Sequence, residues 1–118
     1  MFIKSFPDEI DLMSFFESEP FYEKKEDLHF AYKFLDNNGL ELIFAFCIVS
    51  GWVKILINNK YGEIVNYTAE NVSRFFIEKD KVGSYLCSEV MGEKMINLLK
   101  VRVYPFANFK NEFILIDN

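Results

Sequence analysis

The run Leu40-Glu-Leu-Ile-Phe-Ala-Phe-Cys-Ile-Val49 constrains this chain more than any other stretch. Its only charge is Glu41, near the start, and its β-branched and aromatic content suits a strand covered on both faces. It predicts a central strand. Leu28-His-Phe-Ala-Tyr-Lys-Phe-Leu35 precedes it, and the intervening Asp36-Asn-Asn-Gly39 supplies residues that tolerate positive φ, which predicts a β-hairpin. Ser50-Gly51 then leads into Trp52-Val-Lys-Ile-Leu-Ile-Asn58, so a three-stranded antiparallel meander is the expected nucleus of the fold.

Alternation assigns the faces. Leu28, Phe30, Tyr32 and Phe34 fall on one side of the first strand, the expected core side, and His29, Ala31, Lys33 and Leu35 on the other. In the third strand Val53, Ile55 and Ile57 oppose Trp52, Lys54, Leu56 and Asn58, so that strand is half exposed and shows Trp52 near its start. Asn58 to Gly62 signals a turn, and Glu63-Ile-Val-Asn-Tyr67 continues the meander.

The flanks are less regular. Pro7 and the segment Asp8 to Glu17 read as a short helix, capped by Ser5 or Asp8 and ended by Ser18-Glu-Pro20; Ile10 and Met13, with Leu12, Phe15 and Phe16, are expected to form its buried stripe. Phe21 to Asp27 reads as a charged connection. Residues 68–79 fit helical or strand spacing; a turn at Glu78 to Gly83 leading into Ser84-Tyr-Leu-Cys-Ser88 favours a strand over 72–78. Met95 to Tyr104 is a strand stopped by Pro105, and Asn111 to Asp117 closes the chain as a final strand. The expected fold is mainly β (α+β), one domain over residues 1–118: an antiparallel meander forming a curled sheet or sandwich, with a short N-terminal helix.

Composition narrows the class. Fourteen phenylalanines among 118 residues are more than a small surface can expose, so most are core. Two cysteines, Cys47 and Cys87, are too few for a disulfide framework and point to a reducing compartment. The N-terminal residues show no secretory pattern, and the longest apolar run is far shorter than the roughly 20 residues needed to span a bilayer. The expectation is a cytoplasmic protein with no membrane association.

The net charge of −5 is concentrated. Residues 1–27 hold eight acids (Asp8, Glu9, Asp11, Glu17, Glu19, Glu23, Glu26, Asp27) against three lysines, whereas residues 28–118 hold ten of each sign. An acidic segment repels phosphate backbones, which argues against nucleic-acid binding, and attracts cationic partners. Charge of this kind also keeps an aromatic-rich domain soluble.

Catalytic and metal chemistry find no support in the pattern. Triad catalysis would have to use His29, the sole histidine, and no Gly-x-Ser-x-Gly elbow or spaced serine partner accompanies it; His29 reads as a residue of the sheet surface. One histidine and two distant cysteines cannot form a structural zinc set, and the acids lack EF-hand spacing. The five glycines are isolated, so no phosphate loop forms. No enzyme activity, cofactor or metal is expected. A binding surface remains, with Glu17, Glu19, Glu23, Glu26 and Asp27 as exposed acids and Trp52 and Tyr61 as candidate aromatic contacts. Phe15 and Phe16 are expected to anchor the helix instead.

The acidic opening Asp8 to Asp27, the run Asp27-Leu-His-Phe-Ala-Tyr-Lys-Phe34 through Gly39-Leu-Glu-Leu-Ile-Phe44, and Val82-Gly-Ser-Tyr-Leu86 together give a chain that resembles the immunity proteins of bacterial polymorphic and contact-dependent growth inhibition toxin systems. The resemblance implies a cytosolic protein that binds and blocks a cognate toxin domain, often a basic nuclease. The competing reading is a small-molecule-binding or structural β-module without catalytic activity. An exposed sheet edge would leave a homodimer open to either.

Overall fold

The computed structural model describes residues 2–116. The acidic opening forms α1 (Glu9–Phe16), the short strand β1 (Tyr22–Lys24) and a 3-10 turn, η1 (Lys25–Asp27). Eight longer strands follow: β2 (His29–Leu35), β3 (Glu41–Cys47), β4 (Trp52–Asn59), β5 (Gly62–Ala69), β6 (Val72–Lys79), β7 (Ser84–Met91), β8 (Met95–Arg102) and β9 (Asn108–Leu115). They pair antiparallel in two sheets, ordered β1-β2-β3-β4-β5 and β6-β7-β8-β9. The expected meander is the first sheet, and the ambiguous residues 72–79 are strand β6, first in the second.

The hairpin forms as its turn chemistry demands. Gly39 sits at φ 80, and Asp36 Oδ1 accepts the N–H groups of Asn38 and Leu40 at 2.8 and 2.9 Å. That fixes the register, placing Tyr32 opposite Phe44 and Phe30 opposite Phe46. Leu42, Phe44 and Phe46 therefore share the inner face with Val53, Ile55 and Ile57 of β4, all buried. The second sheet contributes Phe75, Leu86, Leu99 and Val101 to the same core. Phe44 is fully buried, 6.1 Å from Phe16, 5.8 Å from Phe46 and 5.5 Å from Phe75 between ring centroids, so one side chain joins helix and both sheets.

Asp36 makes a second tie. It is buried, and its Oδ2 accepts the N–H of Ala107 at 2.8 Å, linking the β2–β3 turn to the loop before β9. Burial is the largest single influence on its carboxyl and opposes ionisation. The backbone donors of Ala107, Leu40 and Asn38 together outweigh it and hold the carboxyl below its ordinary range.

Five local expectations are corrected. Ile10 is 76% exposed, because the helix turns Leu12, Phe15 and Phe16 inward and leaves Ile10 on the solvent side. Leu28 leaves the strand alternation: it ends η1 at φ 50 and is exposed. Phe21 to Asp27 is no simple connection, since Tyr22, Glu23 and Lys24 pair with Ala31, Phe30 and His29 through backbone bonds that their charged side chains do not advertise. The second face of β3 carries no covering layer. Ala45 and Cys47 are buried there because they are short and lie between larger neighbours of β2 and β4, while Ile43 is partly exposed. The last strand begins at Asn108, not Asn111, and Asp117 lies outside the described residues.

Candidate functional site

The acidic opening lays β1 and η1 along one margin of the larger sheet and α1 against its inner face. Asp8 caps α1 by accepting the Asp11 N–H at 2.8 Å, and acids in the first turn complement the helix dipole. Phe16 then stacks on Tyr32 with ring centroids 5.1 Å apart, which pins the helix to the inner face of β2 and leaves Glu9, Ile10 and Asp11 exposed. The chain returns along the sheet edge: Phe21 N–H donates to Ala31 O at 2.9 Å, and β1 adds to β2. One backbone bond closes η1 and two contacts then fasten it to the end of the hairpin. Leu28 N–H donates to Lys25 O at 3.2 Å, Ile48 N–H to Leu28 O at 3.1 Å, and the Cys47 thiol to Asp27 O at 3.4 Å.

This path sorts the acids by face. Glu23 pairs in register with Phe30 and shares the inner side of β1. The Tyr32 phenol is pushed up first by burial and then by the charges of Glu9 and Glu23. Glu26 is exposed and Asp27 half-buried in η1. Asp27 pairs with Lys24 at 3.1 Å, and that hydrogen bond raises the lysine's pKa. Both partners are about half exposed, so the pair is a weak surface contact.

The outer face beside η1 is aromatic. His29, Cys47 and Trp52 stand opposite one another in adjacent strands, and Tyr22 lies across from Ala31. The His29 ring is 4.8 Å from Tyr22 and 4.9 Å from Trp52, forming a row over the short side chains of Ala31, Ala45 and Cys47. Lys33 lies over the exposed ring of Phe21 at 5.1 Å. Such a row of half-exposed rings beside carboxylates can form the anchored centre of a protein interface, aromatic contact supplying affinity and charge supplying capture rate. His29 is thus packed between two aromatic rings.

No family model and no curated protein matches the chain. A solved structure does, the contact-dependent growth inhibition toxin–immunity protein complex from Klebsiella pneumoniae 342. The match is 33% identical, covers 97% of this chain and 100% of that one, and superposes with a TM-score of 0.90. The chain belongs to the immunity proteins of contact-dependent growth inhibition systems. Its two-sheet antiparallel architecture with one short helix matches that structure and is the mainly β class that the strand alternation and turn signals predict.

The immunity protein brings together some of the residues singled out from its sequence and separates others. Glu26, Asp27 and Trp52 meet at one end of the larger sheet, and Glu19 and Glu23 are exposed along the same acidic margin. Glu17 stands apart at the helix end, where its Oε2 accepts the Tyr104 hydroxyl at 2.5 Å; this bond raises the phenol's pKa. Tyr61 is 86% exposed in the β4–β5 turn, at the opposite end of β4 from Trp52, with Lys60 over its ring at 5.0 Å. Sequence reasoning missed the packing of Tyr22 and Trp52 on either side of His29. Both His29 and Trp52 fall in the outward phase of their strands, and the hairpin register set at Asp36–Gly39 would have brought them together across Cys47.

Two concavities flank this margin of the immunity protein. An apolar groove of about 140 Å3 runs between α1 and the sheet, lined by Leu12, Phe30, Tyr32 and Phe46 with Asp8 and Glu9. A larger, open groove of about 600 Å3 lies beyond the helix end, lined by Asp11, Ser14, Glu17, Lys79 and Tyr104. Among the described residues no group of three or more His, Cys, Asp or Glu side chains is placed to hold a metal, and no helix is long and apolar enough to cross a membrane.

Proposed function

We propose that this immunity protein acts in the cytoplasm as a non-catalytic inhibitor that binds and blocks a cognate toxin domain, and that the toxin is a basic nuclease. The observation that carries the reading is the match over the full length of a chain from a toxin–immunity complex. The concentration of all the excess negative charge in residues 1–27 supports the finer part. Glu19, Glu23, Glu26 and Asp27, with Trp52 and its aromatic neighbours, form the proposed toxin-facing surface, and Glu17 and Tyr61 are outlying contacts. Carboxylates set over a cationic nuclease site occupy the positions its substrate phosphates would take, and the opposite potentials accelerate capture. No nucleic-acid partner is proposed, because the same field repels a phosphate backbone.

The ligand-binding alternative is weaker. The apolar groove of about 140 Å3 falls below the roughly 300–1,000 Å3 of ordinary small-molecule pockets, and the larger groove is open to solvent.

Co-expression tests the proposal. The cognate toxin domain is induced in a sensitive host with and without this protein. Growth is expected to be arrested by the toxin alone and restored by co-expression; continued arrest beside abundant, folded protein would overturn the reading.

A further inference from the structure

A second interaction surface lies at the free edge of the smaller sheet. β9 pairs with β8 on one side, and among the described residues no strand pairs with its other side. Exposed edges are normally blunted by proline, by a bulge or by like charges that repel a second strand. β9, Asn108-Phe-Lys-Asn-Glu-Phe-Ile-Leu115, has no proline, and its pairing with β8 runs without a register shift. It is followed by Ile116, and Phe113, Ile114, Leu115 and Ile116 are 62%, 48%, 76% and 37% exposed.

The direction of its free backbone groups can be read from the ladder. Ile116 N–H donates to Lys94 O at 2.9 Å, continuing the register in which Leu115 faces Met95. Hydrogen-bonding direction alternates along a strand, so the even-numbered residues of β9 address β8. Phe109, Asn111, Phe113 and Leu115 direct their N–H and C=O groups out of the free edge.

We infer that this edge binds a second copy of the chain, β9 against β9 about a two-fold axis at Asn111. Antiparallel pairing centred there sets Asn111 opposite its own copy and Phe109 opposite Phe113 of the partner, both as hydrogen-bonded pairs. Lys110 then faces Glu112 of the partner on the outer face, twice by symmetry, joining the Lys110–Glu112 and Lys100–Glu112 pairs already made within each copy at 2.9 and 3.3 Å. The charges separate this register from its two neighbours. A shift of the axis by one residue toward the C-terminus sets Glu112 against Glu112, and one toward the N-terminus sets Lys110 against Lys110. Each juxtaposes like charges, and each replaces the Phe109–Phe113 pairing with Phe against Asn. The result is a continuous eight-stranded sheet in which Phe113 and Ile114 of each copy face Phe109 and Asn108 of the other. β1 and η1, which carry the acidic surface, belong to the other sheet.

Sedimentation of the full chain over a range of concentrations tests the inference. The parent protein is expected to move from a species of 14.0 kDa towards twice that mass as concentration rises. Lys110→Glu and Glu112→Lys each place like charges across both symmetric contacts, so each variant alone is expected to self-associate roughly tenfold more weakly or less still. In an equal mixture, a chain with acids at positions 110 and 112 meets one with lysines at both. Each symmetric contact is then again a pair of opposite charges, and the dimer returns. Asn111→Pro removes an outward N–H that the fold of one copy does not use, and is expected to give a folded monomer. A parent that stays monomeric at its highest concentration would overturn the inference. So would a dimer that both single variants leave intact, or a mixture that fails to regain it while circular dichroism shows both variants folded.

Discussion

Reversal of Glu19, Glu23 and Glu26 to lysine slows capture of the toxin by roughly ten- to a thousandfold at low salt, the range over which electrostatic steering sets association rates. All three carboxylates are exposed, so their replacement removes charge without opening the core. The loss is expected mainly in the association rate, with a smaller change in dissociation, because rim charges steer encounter while buried anchors hold the complex. Its salt dependence reports the same cause. Parent association falls steeply as the Debye length shortens, and the variant's is nearly flat. Stopped-flow measurement across a salt series reads both, and an unchanged rate would remove this segment from the interface.

Replacement of Asp36 by alanine costs about 2–4 kcal/mol of folding stability, since it strips the acceptor from three backbone N–H groups at a buried position. The sign of the pH dependence follows from the same bonds. The folded carboxyl is held below its ordinary value, so its contribution is complete above the unfolded pKa of about 3.9 and is lost as pH falls through the lower folded value. Urea unfolding at neutral pH should therefore separate parent and variant fully, and the gap should narrow under acid. A difference below about 0.5 kcal/mol at neutral pH, the range of ordinary surface changes, would mean that the loop tie contributes nothing.

How much of this was legible beforehand depends on where each segment gets its structure. The β2–β3–β4 meander is written in side chains: period-two alternation, an Asp-Asn-Asn-Gly turn and an apolar central run all favour one register. Tyr22-Glu-Lys24 is written in backbone. Glu23 and Lys24 are poor strand formers, and only the exposed edge of β2 makes the segment a strand. Ile10 shows the limit of apolar identity as a guide to burial, because an eight-residue helix has room for one inward stripe, which Leu12, Phe15 and Phe16 fill.

The site divides in the same way. The acidic character of residues 8–27 is a one-dimensional property and needs no fold to be seen. The aromatic row Tyr22–His29–Trp52 is made by three strands meeting, so none of its members stands out alone. Asp36 has an ordinary turn residue's sequence context, and its bond to Ala107, 71 positions away, has no local signal at all.

Direct titration of the purified protein with the cognate toxin domain, followed by calorimetry at two salt concentrations, bears most closely on the central claim. A saturable complex with one toxin per chain, weaker at the higher salt, is the predicted result. No binding between two folded proteins, or binding of equal strength at both salt concentrations, would contradict toxin capture by the acidic surface.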